Sequence, residues 1–196
     1  MNNTEHHRFE SYIDELMESV AYKFKDWEDE KIGAKEVLPE VSAGVYLVYR
    51  GEEFLYAGMA GKEEKTIQAA RTKIEKYKKD NPGKAVPVDY RKGLYDRLNQ
   101  HSLGGLSGDK MNVYIAERFI APNLTKCQKE QLASGCLSLD QPTYDFVSNE
   151  LSYKFCLTKS NEAKKLEKMI ISGITRLGKP LLNKVKKRKS NRRRSK

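Results

Sequence analysis

The chain has few of the features that mark secreted, disulfide-bonded or membrane-spanning proteins. It contains three cysteines, an odd number without a CxxC pair, so the sequence suggests neither a disulfide framework nor a cysteine zinc site. No apolar run approaches the roughly 20 residues of a membrane span, and the first residues are polar rather than those of a signal peptide. We therefore expect a soluble protein of a reducing compartment with no membrane partner. That compartment is the cytoplasm, with nucleoid association in a bacterium, or the nucleus in a eukaryote.

The length and the charge balance narrow the class of protein further. A chain of 196 residues is expected to form one main domain, which excludes two large catalytic domains. Apolar residues make up 38% of the chain, enough to build a core. The net charge is +10, from 37 basic and 27 acidic residues, and residues 184–196 alone hold nine basic and no acidic residues. The rest of the chain is therefore nearly neutral.

The basic segment 184–196 is typical of a disordered arm that binds polyanions. Such a run neutralises phosphates and releases counterions without reading base sequence. A solvated tail that only keeps the protein soluble, or a nuclear localisation signal, explains the same composition. The segment by itself therefore only favours a nucleic acid as the partner.

Periodicity and turn residues predict an α+β fold. Helices are expected at 5–30, 62–80, 91–101 and 161–177, and strands at 43–50, 54–57, 111–120 and 153–157, while 121–150 is ambiguous. The strands predict a small mixed or antiparallel sheet of three or more strands, opened by a β-hairpin over residues 44–58 and flanked by helices. We expect an N-terminal helical arm (1–40), a central domain (41–183) and the disordered basic tail (184–196).

The hairpin contains two tyrosines, Tyr46 and Tyr56, whose relative orientation depends on the turn. A three-residue loop at 51–53 puts residue 48 opposite residue 56 and both phenols on one face, whereas an unbulged two-residue loop separates them. We predict the three-residue loop. Two phenols on one face could position or deprotonate a water, or they could be ordinary core tyrosines with satisfied hydroxyls.

Five short motifs follow one another along the chain. They are GVY at 44–46, YAG at 56–58, RLNQH at 97–101, LEKMI at 166–170 and GKPLLN at 178–183. In this order, and on these predicted elements, they resemble the motifs of the GIY-YIG nuclease superfamily. The resemblance covers residues 44–183 and implies a GIY-YIG-like nuclease domain that hydrolyses DNA phosphodiester bonds.

The first three motifs supply the groups that the resemblance assigns to the water. It implies that Tyr46 and His101 position and deprotonate the attacking water, and that Tyr56 orients the phosphate or the other phenol. Arg97 would stabilise the charge that develops on the phosphorus, since a guanidinium can hold a non-bridging phosphate oxygen. A satisfied core histidine and an ion-paired arginine are the alternatives that the residues alone leave open.

The last two motifs supply a carboxylate and an amide. The resemblance implies that Glu167 binds one Mg²⁺ or Mn²⁺ per active site, with waters completing the coordination. It also implies that Asn183 supports the site. Glu162 is the competing carboxylate, although its place in the first helical turn is explained by the helix dipole.

The chain departs from the family pattern at two places. Met59 stands where many members have a lysine after YxG, and Lys62 or Lys65 is the substitute that we consider. The interval between Tyr56 and Arg97 is long, and a basic helix fills it; Arg71 on that helix is the alternative catalytic arginine, but it has no histidine four residues later. The residues expected to contact nucleic acid are Gly58, Lys62, Lys65, Arg71, Lys73, Lys76, Lys187, Arg188, Arg192, Arg193 and Arg194.

Missing features narrow the comparison within the superfamily. The chain has no cysteine zinc finger and no separate DNA-reading domain, so the stand-alone type II restriction endonucleases are the nearest analogue. Such an enzyme would read double-stranded DNA with inserts at about 62–90 and 121–150. A homodimer could cut both strands, and the sequence equally allows a one-site monomer that nicks. Two alternatives stay open: a non-catalytic DNA- or RNA-binding module with this fold, and an unrelated basic protein in which the tripeptides are accidental.

Overall fold

The computed structural model describes residues 3–29, 33 and 37–183. The basic segment 184–196 lies outside the described residues, and so do the contacts predicted for Lys187, Arg188, Arg192, Arg193 and Arg194. The described helices are α1 Asn3–Glu18, α2 Glu64–Asp80, α3 Leu94–Ser102, α4 Lys110–Ile115, α5 Lys126–Ala133, α6 Asp140–Glu150 and α7 Ser160–Ser172. The strands are β1 Tyr22–Lys23, β2 Val41–Ser42, β3 Gly44–Arg50, β4 Glu53–Ala60, β5 Lys92–Gly93 and β6 Leu151–Leu157.

The main sheet has the strand order β1-β6-β3-β4, and every neighbouring pair is antiparallel. Strands β2 and β5 form a separate, short parallel pair. The predicted α+β fold class, with a small sheet opened by a hairpin and flanked by helices, is confirmed. No helix in the described part of the chain is long and apolar enough to cross a membrane.

The hairpin β3–β4 has the register that was predicted at the tyrosines but reaches it by a different turn. Arg50 pairs with Glu53, so the loop has two residues and not the predicted three. The register then shifts between Val48 and Tyr49, and Val48 lies opposite Tyr56. Leu55 is therefore the extra residue of a β-bulge, which restores the parity that a two-residue loop would lose.

The two faces of the sheet are covered by different helices. We call the face that carries Tyr46, Val48 and Tyr153 the site face, and it is buried with residues of α3, α4 and α6. We call the opposite face, which carries Val45 and Leu47, the rear face, and it is buried with residues of α1 and α7. Side chains alternate between these faces along β3, as the period of two requires.

The N-terminal segment is part of this core. Phe9, Ile13 and Leu16 of α1 are buried against the rear face, and Phe24 and Trp27 are buried with the site-face cluster. The boundary predicted at residue 40 therefore does not divide the hydrophobic core. Helix α1 also ends at Glu18 and gives way to β1, whereas the sequence predicted one helix to residue 30.

The prediction of a strand at 111–120 is wrong. Residues Lys110–Ile115 form α4, and Ala116–Ile120 continue it as a π-helical turn. The side chain of Asp109 caps α4 by accepting the N–H of Asn112 at 3.1 Å. The buried positions Met111, Ile115 and Ala116 follow helical rather than alternating spacing.

Both segments predicted as inserts, 62–90 and 121–150, contain helices that pack against the rest of the domain. Helix α2 and its neighbours bury a small cluster of Val41, Ile67, Ala70, Ile74 and Val86. The ambiguous segment 121–150 contains α5 and α6, and Val147 of α6 is buried in the site-face cluster. Helix α7 ends at Ser172, five residues before the predicted end, because Gly173 adopts φ +76° and closes it.

Candidate functional site

Tyr46 and His101 form a buried hydrogen bond at the centre of the site face. Tyr46 comes from β3 and His101 from α3, and each side chain is 2% exposed. The phenol oxygen lies 2.6 Å from Nε2 of the imidazole. Gly58 lies opposite Tyr46 in the hairpin, and a Cβ at Gly58 would overlap the Tyr46 phenol. A glycine is therefore required there for the ring to reach His101; the nucleic-acid contact assigned to Gly58 stays a prediction.

The second ring nitrogen of His101 faces a carboxylate that the sequence reasoning missed. Nδ1 lies 2.5 Å from Oδ2 of Asp109, which is 4% exposed, and Oδ1 of Asp109 accepts the N–H of Asn112. The chain Asp109–His101–Tyr46 is thus hydrogen-bonded throughout. The available signal was the aspartate directly after the Gly/Ser-rich loop, a typical N-cap, but the following segment had been interpreted as a strand.

Tyr56 lies beside this chain, half-buried on the same face. Its ring centroid is 6.3 Å from that of Tyr46, and it meets the His101 ring edge-on at 6.4 Å. Tyr114 of α4 lies on its other side, with 6.5 Å between ring centroids. The structure therefore brings both tyrosines and the histidine together, as predicted.

Burial sets the protonation of these groups. It raises the pKa of Tyr46 well above its usual value near 10, and raises that of Tyr56 to about 12. Burial also lowers the pKa of His101 below its usual value, although the hydrogen bond and the charge of Asp109 oppose this. Near neutral pH both phenols are protonated and the imidazole is neutral, so His101 can accept a proton.

Arg97 lies one helical turn before His101 on α3 and is half-buried. It lines a cleft of about 280 Å³ between the start of α2 and the start of α3. Lys62 and Lys92 line the same cleft, together with the acidic side chains of Glu63 and Asp96. The positive charge of Arg97 lowers the pKa of Tyr46 and of Tyr56, so it acts on the hydrogen-bonded chain through space.

Glu167 is half-buried on α7. Burial raises its pKa above the usual value, and the charges of Lys168, Lys164, Arg97 and Lys110 partly oppose this. Its own negative charge raises the pKa of both site tyrosines. Arg97, Glu167 and the tyrosines therefore belong to one electrostatically connected region, which the motifs predicted.

The competing carboxylate, Glu162, is used in packing. It accepts hydrogen bonds from Arg8 at 2.5 Å and from Tyr12 at 2.8 Å, and it is 7% exposed. These contacts tie the start of α7 to α1, and they leave Glu167 as the carboxylate whose charge acts on the pKa of both tyrosines. Its hydrogen bonds therefore give Glu162 a structural role.

A divalent cation at Glu167 would have few protein ligands. In the described ranges no three His, Cys, Asp or Glu side chains are grouped so that they could hold a metal ion. A single carboxylate still fits Mg²⁺, which keeps several waters and binds through one or two carboxylates plus phosphate oxygens. The donor set is therefore compatible with a cation that binds together with a phosphate.

The side-chain amide of Asn183 forms hydrogen bonds with β4, the edge strand of the main sheet. Its Oδ1 accepts the N–H of Ala57 at 2.8 Å, and its Nδ2 donates to the carbonyl of Ala57 at 2.9 Å. The preceding residues Leu181 and Leu182 donate their N–H groups to β4 in the same way. Asn183 therefore fixes the backbone between Tyr56 and Gly58, which is a supporting position.

The basic residues of α2, and Lys62 in the loop before it, are exposed but not equivalent. Lys62 lines the cleft with Arg97, and Lys65 is not among the residues that line it. Arg71, the alternative catalytic arginine, lines two other clefts of the surface. Nζ of Lys73 lies 3.5 Å from the ring centroid of Tyr90, and Lys76 is exposed. Of the two substitutes considered for the lysine missing at residue 59, Lys62 has the better position.

Met59 itself belongs to the rear face. Its half-buried side chain packs against the cluster that contains Val45 and Ala57, on the side of the sheet opposite Tyr46. A lysine at this position would point away from the hydrogen-bonded chain, which gives a physical reason for the apolar residue.

Comparisons with known proteins add no relative. No family model, no curated protein and no solved structure matches the chain.

Proposed function

We propose that the protein is a metal-dependent endonuclease that hydrolyses DNA phosphodiester bonds. The observation that carries this proposal is the buried hydrogen bond between the phenol of Tyr46 and Nε2 of a neutral His101, beside Arg97. A phenol that can pass its proton to an imidazole can take a proton from a water. The resemblance to the GIY-YIG nucleases supplies the reaction class, and Glu167 supplies a carboxylate whose charge acts on both tyrosines.

The proposed reaction moves one proton through two side chains. Tyr46 takes a proton from the attacking water while its own phenolic proton passes to Nε2 of His101. The hydroxide oxygen forms a bond to phosphorus, the bond from phosphorus to the leaving oxygen breaks, and the leaving oxygen takes a proton from solvent. Because burial raises the pKa of Tyr46, a free phenolate is not populated at neutral pH, and the two proton transfers occur together.

The remaining groups act on the phosphate. Arg97 donates to a non-bridging oxygen and stabilises the charge that builds up there. Tyr56 orients the phosphate or the Tyr46 ring, and Asn183 holds the strand that carries it. When bound at Glu167, Mg²⁺ or Mn²⁺ supplies Lewis-acid stabilisation of the phosphate charge.

A plasmid nicking assay tests the proposal. Purified protein is incubated with supercoiled DNA in Mg²⁺ or Mn²⁺, with EDTA as the control, and Glu167→Ala and Arg97→Ala are compared with wild type. We expect cleavage to be lost in EDTA and reduced about 10²- to 10³-fold by Arg97→Ala, the loss typical of removing one charge-stabilising donor. Glu52→Ala and Arg118→Ala change exposed residues of the same types outside the proposed DNA-reading segments and should cleave normally.

Two results of this assay contradict the scheme. One is full cleavage by folded Glu167→Ala or Arg97→Ala, with folding checked by circular dichroism and thermal melting. The other is cleavage that is unaffected by EDTA. Either result removes the roles assigned to these side chains.

A second candidate is a non-catalytic DNA- or RNA-binding module. The exposed basic side chains of α2 favour it, since a basic helix binds phosphates without any need for Glu167. This candidate predicts salt-dependent binding and no nicking in either metal. The buried Tyr46–His101 pair favours the enzyme, because surface binding does not require it.

The finer proposal is a restriction-type enzyme. The segments 62–90 and 121–150 would read base edges in double-stranded DNA, the basic tail would add affinity without specificity, and a homodimer would cut both strands. Such an enzyme works where the DNA is, in the cytoplasm at the nucleoid or in a nucleus. Cleavage at one repeated sequence in a plasmid, rather than random nicking, is the outcome that supports this role.

A further inference from the structure

We propose that Asp109 is a positioning residue that holds His101 in the one tautomer able to accept the Tyr46 proton. The part of this inference that concerns catalysis rests on the proposed function, whereas the tautomer of His101 can be measured without any reaction. The aspartate lies outside the motifs that pointed to a nuclease, and it is eight residues from His101 in sequence.

The two hydrogen bonds of His101 determine the direction of proton transfer. An ionised carboxylate can only accept, so the 2.5 Å contact with Asp109 requires the proton on Nδ1. Nε2 then carries the lone pair, and the 2.6 Å contact with Tyr46 requires the phenol to donate. The proton of Tyr46 therefore already points at the atom that is to receive it.

Asp109 is held ionised by its surroundings. Burial by itself raises its pKa, but the hydrogen bond with His101, the Asn112 N–H and the charge of Arg97 together lower the pKa below its usual value. Asp109 is 4% exposed and His101 is 2% exposed, so bulk water does not compete for the hydrogen bond between them. An imidazolium that forms at His101 is paired with the carboxylate as soon as it forms.

The second carboxylate oxygen makes a sharp test possible. Oδ1 of Asp109 accepts the N–H of Asn112, and of the two ends of an asparagine amide only the oxygen can accept that N–H. In Asp109→Asn the amide oxygen must therefore stay on Asn112, and the amide NH₂ must face Nδ1 of His101. That group donates, so the imidazole proton moves to Nε2 and points at Tyr46, which can then no longer give up its proton to His101.

The experiment combines ¹⁵N NMR of the imidazole nitrogens with cleavage kinetics. The chain has three histidines, and the His101 signals are identified by their loss in His101→Gln. Without DNA and above pH 7, we expect wild type to show His101 protonated on Nδ1 and Asp109→Asn to show it protonated on Nε2. We expect kcat to fall about 10²- to 10⁴-fold with little change in KM, the upper value being that of the corresponding change in a Ser–His–Asp triad.

The controls separate this role from a purely structural one. Asparagine caps helices as well as aspartate does, so Asp109→Asn should keep the melting temperature of wild type. Asp14→Asn changes another paired carboxylate, the exposed partner of Arg176 on α1, and should change neither the His101 signals nor kcat.

Each outcome decides the inference. Protonation of Nε2 in wild type, or an unchanged tautomer in Asp109→Asn, overturns the positioning role, whatever happens to cleavage. A shifted tautomer with unchanged kcat overturns its importance for catalysis. If wild type does not cleave DNA at all, the proposed function fails, and the tautomer measurement still confirms or refutes the geometry of Asp109.

Discussion

The two faces of the sheet use the same strands for different purposes. On the rear face, Val45 and Leu47 of β3 meet aliphatic side chains of α1 and α7. On the site face, the alternate residue Tyr46 carries a hydroxyl into a buried polar chain with His101 and Asp109. A buried polar chain is costly unless each member is hydrogen-bonded. The comparison indicates that apolar packing on the rear face stabilises the fold, and that this stability offsets the cost of the buried polar chain on the site face.

The largest expected effect comes from opening the rear face. Ile13 of α1 is 1% exposed, and Ile13→Ala removes its contacts and leaves a cavity. We expect a loss of about 2–5 kcal/mol in the free energy of unfolding, measured by urea denaturation. Met17→Ala, on the same helix at 46% exposure, is the control and should cost far less.

The same variant tests the division between the faces. Cleavage per folded molecule should be unchanged in Ile13→Ala at a temperature where it is folded. A cost near zero would mean that α1 is the separate arm that the sequence suggested, and a large loss of cleavage in the folded variant would mean that the faces are not independent.

The next effect comes from crowding the site face. In Gly58→Ala the new methyl group overlaps the Tyr46 phenol, so the ring must leave its place against His101. We expect a destabilisation of about 1–3 kcal/mol, as for other overpacked sites, and at least a tenfold loss of cleavage. Gly105→Ala, where a Cβ meets no atom within 4 Å, should match wild type in both measurements. Wild-type cleavage by Gly58→Ala would show that the Tyr46–His101 hydrogen bond is not needed.

The pH dependence of cleavage tests the protonation states that we assign to His101 and Glu167. His101 must be neutral to accept a proton, and its pKa lies below 6.5 because it is buried; Arg97 and Asp109 are the charged groups that act on it. Protonation of Glu167, whose pKa is raised above 4.5, weakens metal binding in the same direction. We therefore expect kcat/KM to fall as the pH is lowered through the His101 pKa, about tenfold per pH unit below it, and protonation of Glu167 adds to the fall. A His101 pKa above 6.5 in an NMR titration of the imidazole would contradict a neutral His101 at the resting site.

The smallest effect is expected at the sheet edge. Asn183→Ala removes two hydrogen bonds to the buried residue Ala57, but solvent can replace them in part because Asn183 itself is only half-buried. We expect a loss of about 1 kcal/mol and a modest fall in kcat, since the strand that carries Tyr56 is held less firmly. Asn161→Ala, which changes an exposed asparagine at the start of α7, serves as the control. If Asn183→Ala lost more stability than Ile13→Ala, the sheet edge would contribute more to stability than the rear face, contrary to our expectation.

Much of the site was predictable because its residues follow local rules. Tyr46 and Tyr56 share a face through the period of the hairpin, and His101 falls on the buried stripe of α3. Asp109 was missed because the apolar positions after it were interpreted as a strand, although its place before a helix is that of an N-cap. The turn was also mispredicted, because a two-residue loop with a bulge at Leu55 gives the same parity as a three-residue loop.

The sequence by itself determined the α+β class, the hairpin, the amphipathic helices and the residues offered to the site, because backbone periodicity and turn chemistry act over a few residues. The tertiary structure decided which of these residues meet. Tyr46 reaches His101 across 55 residues and Asn183 reaches Ala57 across 126, and both contacts depend on how the helices close over the sheet. It also decided that Glu162 is hydrogen-bonded to α1, whereas the charge of Glu167 acts on the pKa of Tyr46 and Tyr56. Burial and hydrogen bonding thus separate two carboxylates that the helical pattern leaves equivalent.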